Sequence, residues 1–152
     1  LSNAAAGFLG KRTGMLRLDS VVALSDEAAY RLSKHSGYLS LRSLQSLSDR
    51  AAHSLSGHKG FIDLESVSRL SEAAAAALSR HSGGMDLRGV QQLSDSAAEQ
   101  LCRLRVTTTS APGKGIRVTE AVAKQLKAAR VQLRRRGSQP LQRGLHPSRG
   151  GV

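Results

Sequence analysis

Residues 39–61 read LSLRSLQSLSDRAAHSLSGHKGF, and the chain on both sides restates them every 23 residues. Repeats begin at Leu16, Leu39, Ile62 and Met85 and share the pattern LxLxxLxxLSDxAAxxLxxHxGx. A fixed period of this length marks units that cannot hide their apolar face alone and must stack. Roughly six apolar side chains per unit, at about 1.5–3 kcal/mol each, return less than ordering the unit costs at about 1.5 kcal/mol per residue.

Each repeat changes period partway through. Leu16 and Leu18, Leu39 and Leu41, Ile62 and Leu64, Met85 and Leu87 alternate as in a strand with one face buried. After Leu24, Leu47, Leu70 and Leu93 come Ser25-Asp26, Ser48-Asp49, Ser71-Glu72 and Ser94-Asp95, then Ala pairs and Leu32, Leu55, Leu78 and Leu101. A side-chain acceptor followed by helix formers and an apolar stripe predicts a capped helix of about three turns. Gly37, Gly60 and Gly83 are expected to end the helical stretch with positive φ, which glycine adopts most cheaply. The strands should pair in parallel about 4.8 Å apart, with the helices on the other side.

On these motifs the chain resembles the leucine-rich repeat family, in its bacterial class of 23-residue repeats found in planctomycete-type arrays. The likeness covers residues 1–104 without a gap. It implies an α/β fold, a right-handed horseshoe solenoid of strand-helix units whose strand row lines a concave binding surface. The asparagine common after LxL in the family is replaced by Val21, Leu44, Val67 and Val90, so the curvature of the commoner classes does not carry over.

The two ends depart from the pattern. Leu1 to Ala6 match Leu24 to Ala29 at a distance of 23, so residues 1–15 read as the helix half of a truncated repeat in a longer array. Residues 16–106 hold four repeats. Residues 107–136 read as a degenerate last one, with a strand at Val106 to Thr109, a turn at Ser110 to Gly113 and a basic helix running to about Arg136. From Gly137 to Val152 the Gly, Pro, Gln and Arg composition predicts a disordered basic tail.

Charge follows the same division. The net +12 is not spread evenly: residues 16–104 carry ten Lys or Arg against ten Asp or Glu. Most of the excess lies after them. No stretch approaches the run of about 18 apolar residues needed to cross a membrane. Nothing in the sequence points to a compartment.

Three groups of residues invite a chemical reading. His35, His58 and His81 recur once per repeat. Imidazoles are frequent metal ligands, but no Cys or acid shares their register, so they are expected to bond helix-end carbonyls. Tyr38 and Phe61 are expected to pack between repeats. Cys102, the sole cysteine, reads as a small filler, and no nucleophile elbow, phosphate loop or paired metal motif is present. No cofactor or catalytic residue is expected.

Outward strand positions supply the default binding surface. They form one row of Arg17, Ser40, Asp63 and Asp86 and a second of Asp19, Arg42, Glu65 and Arg88, the second alternating in sign. This strip suits a protein or peptide partner, and a non-enzymatic interaction module is the leading expectation. The alternative is non-specific nucleic acid or another polyanion on Lys124, Lys127, Arg130, Arg134, Arg135 and Arg136.

Overall fold

The computed structural model describes residues 1–106 and 115–137. It is an α/β fold with a five-stranded parallel sheet and six helices. In chain order these are α1 (Asn3–Leu9), β1 (Thr13–Arg17), α2 (Asp26–Leu32), β2 (Ser36–Ser40), α3 (Asp49–Ser56), β3 (Ile62–Asp63), α4 (Glu72–Leu78), β4 (Gly84–Asp86), α5 (Asp95–Leu101), β5 (Gly115–Arg117) and α6 (Glu120–Gly137). The strands lie in the sheet in that same order. Helices pack likewise, α1 on α2 through to α5 on α6.

The sequence period is the pairing register. Leu16 lies beside Leu39, Leu39 beside Ile62 and Ile62 beside Met85, each 23 residues on. Leu41, Leu64, Leu87 and the helix residues Leu55, Leu78 and Leu101 are buried with them in one aliphatic core, against which Leu18 packs half-buried at the end of the row. Alanine pairs such as Ala51-Ala52 and Ala74-Ala75 are fully buried. Their small size lets neighbouring helices approach.

Each helix start is tied to the next. Ser25, Ser48, Ser71 and Ser94 accept from the amides of Ala28, Ala51, Ala74 and Ala97 at 2.9–3.1 Å, capping their helices. The same hydroxyls of Ser48 and Ser71 donate to Asp26 and Asp49 of the preceding repeat, as Ser25 does to Asn3 at 2.9 Å. The Ser-Asp pair is thus both a cap and a rung between repeats.

Three expectations need correction. The repeat helices span seven or eight residues, about two turns rather than three. At the ends of three of them the Ser33, Ser56 and Ser79 hydroxyls donate back to the carbonyls of Tyr30, His53 and Ala76. The glycines lie beyond the helix ends, and of the three only Gly37 has positive φ, at 127°. Gly60 and Gly83 are required by contact instead: a Cβ there would fall 1.7 Å and 2.0 Å from the carbonyl oxygens of Gly37 and Gly60.

Of the expected last strand at 106–109, only Val106 is described, in a lone parallel bridge to Ile116. The rest of it, the turn at 110–113 and the tail from residue 138 lie outside the described residues. The fifth strand is β5, which sequence reading missed. Gly84 pairs with Gly115, 31 residues on instead of 23.

Candidate functional site

Alternation along the strands puts Leu39 and Leu41 into the core and turns Tyr38, Ser40 and Arg42 to the open face of the sheet. The two sequence-derived rows meet there, joined by Arg117 of β5, which pairs with Asp86 in the register. Arg17 and Asp19 form an exposed ion pair at 3.1 Å, and Ser40 donates to Asp19. A second network runs without a break from Tyr38 to Arg117. Tyr38 donates to Asp63 at 3.0 Å; Arg42 reaches Asp63 at 3.2 Å and Glu65 at 2.9 Å. Arg88 reaches Glu65 at 3.4 Å and Asp86 at 2.9 Å, and Arg117 closes on Asp86 at 3.2 Å.

One of the two rows is not a free surface. Ser40, Asp63 and Asp86 are 3%, 1% and 1% exposed, against the expectation that they face outward into solvent. Their neighbours on the same face lie over them: the arginines bridge from adjacent strands, and Tyr38 stacks on Phe61 with centroids 5.3 Å apart. The Arg117 guanidinium covers Phe61 in turn, 4.6 Å from the ring centroid. Buried carboxylates here are structural anions, each held by two or more charge-assisted bonds. What remains open is the row of Asp19, Arg42, Glu65 and Arg88, with Arg17 at one end.

Electrostatics follow the pairing. Ser40's hydroxyl, opposed by some burial and helped by Arg17, holds the Asp19 carboxyl below its usual range. Arg42 and Arg88 are held more firmly protonated than usual, Arg42 chiefly by the charge of Asp63 and Arg88 chiefly by its hydrogen bond to Asp86. Burial and the Asp63 contact push the Tyr38 phenol up. Arg117 and Tyr38 are the members of this network that sequence reading did not assign. Reading Ile116 and Val118 as one more LxL would have put Arg117 in line.

The histidines form a row, but only His81 meets backbone carbonyls as expected; His35 and His58 bond each other instead. His35, His58 and His81 are buried, with stacked rings 5.6 Å and 6.2 Å apart. Gly60 donates its amide to His58 Nδ1 at 3.1 Å, so the His58 proton sits on Nε2 and is donated to His35 Nδ1 at 3.3 Å. His35 then carries its proton on Nε2, which has no partner among the described residues. His81 Nε2 faces the Gly60 carbonyl at 3.0 Å. Among the described residues no cluster of three His, Cys, Asp or Glu could hold a metal ion.

Burial, and then its two histidine neighbours, push the His58 imidazole down to about 4, and burial lowers His35 as well. An unfolded histidine takes its proton near pH 6.5. Between these values the unfolded chain binds a proton that the folded chain refuses, so stability present above pH 6.5 is lost as pH falls toward 4. Urea unfolding should show roughly 2–3 kcal/mol less stability at pH 4 than at pH 7. Stability flat from pH 7 to pH 5 would contradict this packing.

The basic stripe on α6 is partly consumed. Lys124 pairs with Glu120 at 3.0 Å and Arg136 with Glu99 at 3.0 Å. Arg130 donates to the Cys102 carbonyl at 2.8 Å and to that of Leu104 at 3.0 Å, capping the end of α5. Lys127, Arg134 and Arg135 are exposed. Cys102 is buried and its thiol faces the Glu99 carbonyl at 3.2 Å, in the place serine takes in earlier repeats. No helix among the described residues is long and apolar enough to cross a membrane. No family model, no curated protein and no solved structure matches this sequence.

Proposed function

We propose that the chain is a leucine-rich-repeat solenoid, a horseshoe of the bacterial 23-residue class, acting as a non-enzymatic module that receives a protein or peptide on its open strand face. The observation that carries this reading is the unbroken register of Leu16, Leu39, Ile62 and Met85. It fixes Asp19, Arg42, Glu65 and Arg88 as a ladder of alternating charge. Side chains already held by neighbours lose little freedom on binding, which favours recognition by such a surface.

Arg42 and Arg88 are poor probes of this surface because each also holds a nearly buried carboxylate. Asp19 and Glu65 are the better choice, each about a third exposed. Peptides selected on the wild-type chain from a displayed library should lose at least about tenfold in affinity for the double variant Asp19→Asn, Glu65→Gln, a cost of about 1.4 kcal/mol. Melting should move by only a few degrees, since exposed pairs contribute about 0–1 kcal/mol. Selected peptides indifferent to both changes would remove the strand face as the binding surface. The polyanion reading on α6 is narrower than the sequence implied, since Lys124, Arg130 and Arg136 have internal partners.

A further inference from the structure

The links that lead from each helix to the next strand lie one upon another at a single edge of the fold. Gly37 abuts the Gly14 carbonyl, Gly60 that of Gly37 and Gly83 that of Gly60. The stacked histidines, 5.6 Å and 6.2 Å apart, give the spacing of this edge. Residues 10–14, 33–37, 56–60, 79–83 and 102–106 contain Lys11, Arg12, Lys34, Lys59, Arg80, Arg103 and Arg105, and no Asp or Glu. All seven cations are exposed. None forms an ion pair with a described residue.

The carboxylates lie on other parts of the fold or are already paired. Asp26, Glu27, Asp49, Glu72, Asp95 and Glu120 sit in the first turns of the helices, Asp19, Asp63, Glu65 and Asp86 on the open face are bound by arginine, and Glu99 near the end of α5 is bound by Arg136. Helix C-termini by themselves disfavour anions. Here serine hydroxyls already occupy carbonyls of the last turn in α2, α3 and α4, leaving the link cations to set the sign of the edge.

Between α2 and α3 the edge opens into a groove of about 560 Å³, lined by Lys34, Lys59, Ser36, Ser54 and His35 among others. His35 is 1% exposed, and its Nε2, closed to solvent, has no partner among the described residues. Two ammonium groups and serine hydroxyls are a donor set suited to a phosphate.

We propose that this edge binds the phosphate backbone of duplex nucleic acid, with the Lys34 and Lys59 groove seating one phosphate. One or two point cations on each of the five stacked links complement a line of phosphate charge. At the groove the exposed Tyr30 ring lies under the Lys34 ammonium at 4.6 Å, and the links' own rings, His35, His58 and His81, are buried, so the links carry no exposed aromatic side chain to stack on unpaired bases. Nor is there an exposed apolar one to enter lipid, since the exposed Phe8 and Met15 belong to α1 and β1. Contact is with the backbone and therefore independent of base sequence.

Fluorescence anisotropy of the full chain against a labelled DNA duplex of arbitrary sequence tests this. The logarithm of affinity should fall linearly with that of salt at a slope of roughly −4, about 0.9 per phosphate neutralised. The triple variant Lys34→Gln, Lys59→Gln, Arg80→Gln should flatten the slope by about 3 and weaken binding at least tenfold at ~0.1 M salt. The charge-conserving set Lys34→Arg, Lys59→Arg, Arg80→Lys should restore both, and Lys124→Gln with Lys127→Gln should leave them within about twofold. The proposal is overturned by an edge variant that keeps the wild-type slope, or by loss that tracks the α6 pair instead. Absence of duplex binding at low salt overturns it equally, including where the chain sediments with vesicles of acidic phospholipid.

Discussion

Gly60→Ala is expected to cost at least about 3 kcal/mol of folding stability, above the usual range for an added methyl group in a packed interior. The new Cβ would lie 1.7 Å from the Gly37 carbonyl oxygen and 2.6 Å from its carbon. Neither atom is the tip of a flexible side chain. Relief requires the link at 56–60 to move away from the link at 33–37, and that separation would draw apart the His35 and His58 rings and the Leu39 to Ile62 pairing. Against a total stability of about 5–15 kcal/mol for an ordinary domain, one such change leaves little margin. Gly57→Ala, three residues earlier, provides the contrast. Gly57 caps α3 in a right-handed helical conformation, φ −81° and ψ −5°, and its nearest obstacle is the Ser54 carbonyl at 3.5 Å. That variant should be neutral or gain about 0.4–1 kcal/mol. Urea melts of the two proteins decide the matter, and equal midpoints would refute the close approach of the links.

Asp86→Ala should be nearly as damaging, at about 3–5 kcal/mol. Asp86 is 1% exposed and accepts from the Arg88 amide at 3.1 Å, from the Arg88 guanidinium and from Arg117 at 3.2 Å. Arg88 can turn toward Glu65 or water. Arg117 has no such recourse: its side chain is 11% exposed and its Nε already lacks a partner among the described residues. Removing Asp86 strands a nearly buried cation over the Phe61 ring. Glu27→Ala breaks a pair with Arg31 in which both side chains are about half exposed, and it should shift stability by no more than about 0.5 kcal/mol. Similar losses for the two variants would mean that the open-face network contributes no more than a surface ion pair.

The repeat register was legible because aliphatic side chains at LxLxxLxxL tolerate few arrangements once units of equal length must share a core. Leu41, Leu64 and Leu87 lie where their spacing put them. The burial of Asp63 and Asp86 was not legible, for a physical reason. Alternation says which face a residue leaves the strand on, not how far its neighbours reach across it. Arg42, Arg88, Arg117 and Tyr38 are long enough to lie over the shorter acids, and their tethering depends on strand spacing and on the β5 register. That register was hidden by the step of 31 residues between Gly84 and Gly115, while the β-branched run Thr107 to Thr109 drew the strand assignment upstream. Likewise the glycine positions were read correctly as special, but for the wrong cause at Gly60 and Gly83. Periodicity marks where a side chain is forbidden without distinguishing torsion from collision. The basic edge escaped notice because its cations are not adjacent in sequence. Lys11, Lys34, Lys59 and Arg80 become neighbours only after the links are piled up.

A sheet whose strands follow chain order also makes the size of the molecule adjustable in whole steps. Cutting out residues 39–61 would splice Tyr38 to Ile62 and hand every surviving rung a counterpart of the same kind, because the excised length equals the pairing offset of 23. Tandem copying of gene segments of that length could therefore lengthen or trim such a chain without inventing a new junction. A cut one residue longer or shorter would lose the 23-residue offset at the splice and leave that one junction to absorb the misfit.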